Sequence, residues 1–441
     1  MGDGIMEEKV NIEKGKYSRD EWSEFLEEAR CRRNSESKEE SYNDYKNEFI
    51  EFMREYAKLN KQELKESLEY YEEATSTDFF NKHYTTLNEM YIKSELSKCK
   101  VMIMTANPIE KAVLHHKIIE NEKIKITRIL CETTVYYIFK WKKYWIAHIH
   151  QSQTGAEKDM GTNATIRDAL NYFIPNVIIS LGIAFGIDYK TQNIGDVLVS
   201  KRLFPYSDNK RDEDYVKPDR TQDKTIDDWL QVRLDNAIGF LDGVTYGDIL
   251  SGGSVMSSCE EKDRICLAYT KADFVIGGEM EGNAVFQNAK KIGIPGVVIK
   301  GICDWGIVKN GIYENDADRE ENLKNSLQAF AMIQAVEKCE SLFNDKELFS
   351  SSKDIANKKL KKKYLFCLSG LMVSQLLMII NAIYLLLRNY DYDENKYIYT
   401  TGKFFAQPCV WLIIPLALLI FFVVRFIYIG INKLIWWIRN Q

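Results

Sequence analysis

Apolar and aromatic positions repeat at helical spacing through residues 1–97, a stretch that is otherwise highly charged. Apolar residues at i, i+3, i+4 and i+7 mark one face of a first helix: Trp22, Phe25, Leu26 and Ala29. After a polar break, a second set repeats at helical spacing: Tyr45, Phe49, Phe52, Met53 and Tyr56. The pattern predicts a charged helical region that packs on the next domain, with a sensor or self-association module as the alternative.

From residue 100 onward, short apolar runs alternate with helical patterns. The runs with the composition of buried strands are residues 101–105, 177–180, 194–200, 274–276 and 297–299. Strands that alternate with helices are typical of an α/β fold. We place this domain at residues 98–345 and predict that its closing amphipathic helix covers residues 322–343. The polar residues 201–242 are predicted to be an insertion over the mouth of a site, with one helix at residues 229–240.

Two long apolar runs near the C-terminus predict a membrane hairpin. Residues 364–387 carry no charge and would extend about 36 Å as a helix, enough for a bilayer core. Residues 408–431 form the second run, and lysines of the linker 346–363 precede the first. Basic residues at both ends predict a two-span membrane protein with its preceding domain in the cytoplasm, an outer loop at residues 388–407 and an interfacial tail at residues 432–441. Two buried helices of a soluble domain are the alternative.

Composition narrows the range of partners and cofactors. The formal net charge is −5, so no overall basic field attracts nucleic acid, and we expect no nucleic-acid partner. The nine cysteines form no CxxC pair and show no metal-ligand spacing with histidine, which is typical of reduced thiols in the cytosol. We therefore expect no metal and no other cofactor. The charged N-terminus lacks an apolar segment, so no signal peptide is expected.

Acidic residues follow the predicted strands at the ends where α/β proteins bind ligands. Glu281 follows the turn after residues 274–276, and Asp304 follows the apolar run of residues 297–299. Since ligands of an open α/β sheet bind at the carboxyl ends of its strands, both are candidate site residues. Glu110 opens the helix after the first strand, where a carboxylate can also serve only as a partner of the helix dipole.

Two stretches of the chain resemble a known family. The sequences GEMEG at residues 278–282 and IPGVVIKGICD at residues 294–304, with a helix between them, resemble the hallmark of the nucleoside phosphorylase superfamily. The branch that they resemble most is that of the 5′-methylthioadenosine/S-adenosylhomocysteine nucleosidases, although Cys303 stands where a serine is usual. The resemblance extends over about residues 97–343. It implies a nucleoside phosphorylase-like mixed sheet flanked by helices.

The resemblance also implies roles for the acidic residues. Asp304 would protonate or hydrogen-bond N7 of the leaving purine, and Glu110 would orient the attacking water. Glu281 would bind the ribose hydroxyls and stabilise positive charge on the sugar. Met280 would pack against the ribose face. Plain core packing is the alternative for Met280, and a helix cap is the alternative for Asp304.

Two further positions correspond to turns of the family. Gly182 matches a glycine in the turn after the strand at residues 177–180. Ile183 stands where phosphorolytic relatives typically use a serine to hold phosphate, so it disfavours phosphorolysis. Val255 occupies roughly the place where the family often has an aromatic ring that stacks on the base. Gly182 and Val255 are therefore candidate substrate-binding residues.

We accordingly predict a membrane-anchored N-ribohydrolase that cleaves the N-glycosidic bond of a purine nucleoside or nucleotide. The alternatives are a phosphate-dependent purine nucleoside phosphorylase and a nucleotide-sensing domain that controls the membrane hairpin. The order of helical region, enzyme and hairpin is similar to that of a nucleotide-depleting defence effector, which is an analogy of architecture alone. The expected partners are the purine substrate, the lipid bilayer and further copies of the chain in a homo-oligomer.

Overall fold

The computed structural model divides the chain into two compact units, Met1–Phe349 and Ser350–Gln441. The described residues are 17–131, 134–151, 161–206, 210–211, 216–217, 224–253, 255–269, 274–308, 311–313, 316–345, 347–350, 365–366, 369–370, 372–378, 380 and 420–421. The sheet and the helices around it belong to the first unit.

Eleven α-helices are defined in the described part of the first unit. They are α1 (Arg19–Asn34), α2 (Lys38–Leu59), α3 (Lys61–Thr75), α4 (Thr77–His83), α5 (Ile92–Leu96), α6 (Pro108–Glu122), α7 (Thr162–Leu170), α8 (Asp228–Ile238), α9 (Cys259–Ala268), α10 (Gly282–Lys291) and α11 (Ala317–Phe343). A short 3₁₀ helix at Glu89–Tyr91 precedes α5.

Thirteen strands are defined in the same described part. They are β1 (Tyr84–Leu87), β2 (Val101–Thr105), β3 (Ile126–Leu130), β4 (Val135–Trp141), β5 (Tyr144–His150), β6 (Val177–Gly186), β7 (Val197–Pro205), β8 (Lys210–Arg211), β9 (Val216–Lys217), β10 (Lys224–Thr225), β11 (Val244–Ser251), β12 (Val275–Glu279) and β13 (Gly296–Asp304). Strands β8 and β9 pair only with each other within the described residues.

The other eleven described strands form one mixed sheet in the order β1-β3-β4-β5-β2-β6-β12-β11-β7-β10, with β13 paired to both β6 and β7. Because β13 bridges β6 and β7, five strands close into a ring: β6, β12, β11, β7 and β13. Helices α10 and α11 pack on β13 and β6 of this ring. A sheet surrounded by helices confirms the predicted α/β fold class.

Two strands are longer than the sequence predicted. β6 continues through the expected turn after residue 180 to Gly186, because β13 and β12 both pair with its last residues. β7 continues to Pro205, past the predicted start of the insertion, because β11 pairs with its whole length. The predicted helix of the insertion is α8. The predicted cover of a site lies largely outside the described residues, since these do not include residues 207–209, 212–215 and 218–223.

The N-terminal helices pack on the sheet domain with the faces that their apolar spacing predicted. The predicted apolar residues of α1 are all buried, and those of α2 are buried or partly buried in the same core. A capping box starts α1, since the side chains of Ser18 and Glu21 accept each other's backbone N–H. Asn60 separates α2 from α3.

A buried ion pair joins α1 to α9. Arg32 Nε lies 2.9 Å from Asp263 Oδ2 and Nη2 lies 3.2 Å from Oδ1, so the contact is bidentate. The side chain of Asp263 is fully buried, and the guanidinium of Arg32 also lies 4.0 Å from the ring centroid of Tyr45 in α2. The pair therefore holds α1 and α2 against the sheet domain.

The prediction of two membrane-spanning helices is wrong. No helix among the described residues is long and apolar enough to cross a membrane. A span needs about 20 apolar residues in one helix. The second predicted span is largely outside the described residues, since only 420–421 of residues 408–431 are described. The predicted multi-pass membrane localisation and lipid partner are corrected with it.

Replacing Arg32 tests the ion pair. In Arg32→Ala the carboxylate of Asp263 stays buried without its partner, which typically costs about 3–5 kcal/mol. We expect urea unfolding to show a free energy of unfolding lower by this amount. Arg30→Ala is the matched control, because Arg30 lies in the same helix and its pair with Glu27 is exposed. The control should lose less than about 1 kcal/mol, and an equally small loss in Arg32→Ala would contradict the prediction.

Candidate active site

A cavity of about 530 Å³ lies where several strands of the sheet end. Five of the predicted site residues line it: Glu110, Val255, Met280, Glu281 and Asp304. The sixth, Gly182, lies directly behind Glu110. Glu110 follows β2, Met280 and Glu281 follow β12, and Asp304 is the last residue of β13. The fold therefore brings together residues that are far apart in the sequence.

Backbone N–H groups hold the carboxylate of Glu110 at the start of α6. The Oε2 atom accepts from the N–H of Ala106 at 2.5 Å and of Asn107 at 3.1 Å, which closes a capping box. The Oε1 atom accepts from the N–H of Ile183 at 2.9 Å. An ionised carboxylate has about four lone-pair positions. The three backbone donors therefore leave one acceptor position, on Oε1.

Burial and neighbouring charges set the protonation of Glu110. Burial raises the pKa of Glu110, and the nearby Glu281 raises it further. Lys300 and the backbone N–H groups act in the opposite direction without cancelling the rise. The carboxylate fits only because residue 182 is glycine: a Cβ there would lie 2.1 Å from Oε1 of Glu110. Gly182 is thus required by this close approach.

A buried lysine organises the acidic turn after β12. Lys300 Nζ lies 2.6 Å from Oε2 of Glu281 and 3.3 Å from Oε2 of Glu279. Glu279 Oε2 also accepts from the N–H of Glu281 at 2.8 Å and of Gly282 at 2.7 Å. Burial alone would lower the pKa of Lys300, but Glu281, Glu279 and Glu110 together raise it above its ordinary value. The lysine is therefore a cation inside the protein.

Lys300 was not among the predicted site residues, although the sequence carried a signal for it. It stands in the middle of the apolar run VVIKGI at residues 297–302. Lysine is almost never buried unless it is paired. A lysine inside a run of this kind therefore indicates a buried partner of opposite charge, which the structure identifies as Glu281.

Asp304 lies half-buried at the cavity wall. Its Oδ1 accepts from the N–H of Gly306 at 2.7 Å, and Sγ of Cys303 lies 3.5 Å from Oδ2. Gly306 has a φ of +65°, a left-handed conformation that favours glycine. Cys303, in the place of the usual serine, therefore contacts the carboxyl group of the predicted acid.

The N-terminal helices contribute to the cavity wall, which the sequence did not predict. Phe49 and Met53 of α2 and Tyr71 of α3 line the cavity. Phe185 of β6 lines it as well, whereas Val255, at the place of the expected aromatic ring, is mostly exposed. The apolar spacing of α2 indicated a buried face but not that this face reaches a cavity.

The described cavity wall carries more acidic than basic side chains. Its acids are Glu110, Glu279, Glu281, Asp304, Glu320 and Glu321, and its one described basic residue is Lys324. Among the described residues, no group of three or more histidine, cysteine or carboxylate side chains is arranged to hold a metal ion. Carboxylates placed in this way can transfer protons, bind hydroxyl groups and stabilise a developing positive charge.

Known proteins with similar sequences or structures include nucleosidases. The "Death domain-containing ATP nucleosidase" of Amphimedon queenslandica is 25% identical over 260 residues, which cover 52% of this chain and 48% of that protein. The chain thus spans about half the length of this curated relative. A solved S-adenosylhomocysteine nucleosidase from Streptococcus pyogenes is 20% identical, with a TM-score of 0.44 and coverage of 56% of this chain and 98% of that chain. The futalosine hydrolase of Helicobacter pylori is 17% identical, with the same TM-score and coverage.

A family model matches the part of the chain that contains the predicted site residues. The model is that of the Phosphorylase superfamily, and it matches residues 100–337. This range is more than half of the 441 residues and includes all six predicted site residues. The predicted resemblance is thereby confirmed at the level of the superfamily. The chain belongs to the Phosphorylase superfamily.

Proposed function

We propose that the chain is an N-ribohydrolase that cleaves the N-glycosidic bond of a purine nucleoside or nucleotide. The observation that carries the proposal is that Glu110, Glu281 and Asp304 meet at one cavity. Cleavage of this bond builds positive charge on the ribose and requires an acid for the leaving base and an activated water. The similarity to a protein named as an ATP nucleosidase supports the same class of reaction.

Asp304 is the proposed acid, and Glu281 is the proposed ligand of the ribose. Asp304 would give its proton to N7 of the purine, with Gly306 holding the carboxyl group at the wall. Lys300 engages Oε2 of Glu281, so Oε1 is the oxygen proposed to accept from the ribose hydroxyls. Lys300 is thus a positioning residue. Met280 would pack against the ribose face.

Glu110 is the proposed base that takes a proton from water. Backbone N–H groups fill three of its acceptor positions, which fixes the carboxylate and leaves one position on Oε1. The N–H of Ile183 already donates to Glu110, and the isoleucine side chain has no donor. Residue 183 therefore offers no donor to a phosphate ion, which supports hydrolysis over phosphorolysis.

The walls of the cavity are proposed to recognise the base. Phe185 provides an aromatic ring in the cavity, and we assign it the stacking role that the sequence suggested near Val255. Gly182 acts indirectly, because it makes room for Glu110. The defence role expected from the architecture drew on the membrane hairpin and is not part of the proposal.

Asp304→Asn tests the proposed acid. The amide keeps the size of the side chain but cannot deliver a proton, so base release should slow by about 10²- to 10⁴-fold. Free purine is measured by chromatography after incubation with nucleosides and nucleotides. Asp318→Asn is the control, because Asp318 is exposed on α11 and does not line the cavity. Base release at the wild-type rate in folded Asp304→Asn would remove Asp304 from the mechanism.

The dependence on phosphate tests the proposed base. Hydrolysis should proceed in phosphate-free buffer and yield ribose or its 5′-substituted form. In Glu110→Gln the rate should fall about 10²-fold or more, because the amide cannot accept a proton from water. Substrate affinity should change little. Formation of ribose 1-phosphate, with strict dependence on added phosphate, would instead establish the phosphorylase.

The pH profile tests the protonation of Glu110. The base must be ionised to accept a proton, and its pKa is raised by burial. The ratio kcat/KM should therefore fall as the pH is lowered through the pKa of Glu110. Because this pKa is raised, the fall should occur above about pH 4.3, the ordinary pKa of a glutamate. Circular dichroism at each pH shows whether the protein stays folded. A profile that is flat down to about pH 4.3 would be inconsistent with Glu110 as the base.

A further inference from the structure

A second concave surface lies next to the cavity and carries mainly positive charge. It is a groove of about 920 Å³ between the end of α2, the start of α3 and the start of α11. Five basic side chains line it, and we call it the basic groove: Arg54, Lys58, Lys61, Lys65 and Arg319. Its acidic lining residues are Glu55 and Asp316, so the described lining has a net positive charge.

The basic residues of the N-terminal helices form one row. Arg54, Lys58, Lys61 and Lys65 follow the spacing i, i+4, i+7 and i+11 and face the same groove, although Asn60 separates the two helices. Like charges at neighbouring helical positions repel each other by about 0.2–0.5 kcal/mol per pair. Lys58 and Lys65 are each paired at 3.3 Å, with Glu55 and Glu69, so an anion in the groove would chiefly meet Arg54 and Lys61 of this row.

Several of these cations are not neutralised within the described part of the chain. Lys61 and Arg319 form no ion pair with a described residue, and Arg54 Nε donates to the backbone carbonyl of Ile312 at 2.8 Å. The guanidinium of Arg319 is stacked over the ring of Tyr313, with Cζ 3.9 Å from the centroid. Stacking on an aromatic face fixes the guanidinium plane and leaves its N–H edge available to a bidentate acceptor such as phosphate.

The basic groove adjoins the cavity of the proposed active site. Leu323 of α11 lines both. Tyr313 lines the groove, and its neighbour Ile312 lines the cavity. Lys324, the one described basic residue of the cavity wall, directly follows Leu323. The cavity and the groove therefore share a wall along α11.

We infer that the basic groove binds the 5′-phosphate chain of a nucleotide whose base and ribose occupy the cavity. The inference rests on the proposed function and specifies its substrate class as purine nucleoside 5′-oligophosphates. Arg54 and Lys61 provide positive charge that no described ion pair neutralises, and Arg319 provides a fork of N–H donors. The N-terminal helices thereby take part in choosing the substrate.

The double variant Lys61→Glu/Arg319→Glu tests the inference. Both residues line the groove but not the cavity. Base release is measured with matched pairs, ATP against adenosine and GTP against guanosine. In the variant, kcat/KM for the triphosphate should fall at least about tenfold, mainly through KM, because two charge-assisted contacts become repulsive. The value for the nucleoside should change by less than about twofold. Added salt should likewise weaken the wild-type reaction with the triphosphate more than that with the nucleoside.

Lys46→Glu/Lys82→Glu is the matched control. Both lysines are exposed on the N-terminal helices and lie outside the groove. Their replacement changes the net charge by the same amount as the replacement of Lys61 and Arg319. The control should keep the wild-type preference for the triphosphate. The inference would be overturned if the groove variant kept the wild-type preference for the triphosphate. It would also be overturned if the wild-type protein released base from nucleosides but not from triphosphates. Either result would leave the proposed function standing. Absence of base release from every wild-type reaction would instead refute the proposed function, and the inference with it.

Discussion

The geometry of the cavity depends on the positive charge of Lys300, which is buried beside Glu279 and Glu281. A charge that is taken out of water costs several kcal/mol unless a partner of opposite sign lies close to it. Here one cation lies between two carboxylates that would otherwise repel each other across one turn. Strand β13 carries this lysine and ends in Asp304. The charge pairing therefore fixes the strand of the proposed acid against the turn of the proposed ribose ligand.

A second constraint comes from the N-terminal helices. Phe49 and Phe52 pack edge-on against Trp305, with ring centroids 5.9 and 5.6 Å apart. Trp305 directly follows Asp304, so the packing of α2 supports the position of the proposed acid. The ion pair of Arg32 with Asp263 acts on the same helices, since it fixes α1 against α9. Residues outside the family match thus help to shape the site.

The sequence predicted some parts of the site well because they depend on local pattern. The rule that acidic residues follow apolar strands singled out Glu281 and Asp304, which line the cavity, and helical spacing predicted the buried faces of α1 and α2. Contacts between distant segments left no such pattern. The lining of the cavity by Phe49 and the closing of β6 with β12 depend on tertiary packing. The membrane spans were inferred from apolar composition alone, which does not establish that residues form one long helix.

The distribution of charge along the two adjoining surfaces suggests why they occur together. The cavity is rich in carboxylates, which favour a sugar that becomes positively charged during bond cleavage. The basic groove favours a group with negative charge. A nucleoside would occupy only the cavity and would leave the basic groove without an anionic group. A 5′-phosphorylated nucleoside, the proposed substrate, would match both surfaces. The reverse placement of such a ligand would bring its phosphate against the buried carboxylates of Glu110 and Glu281.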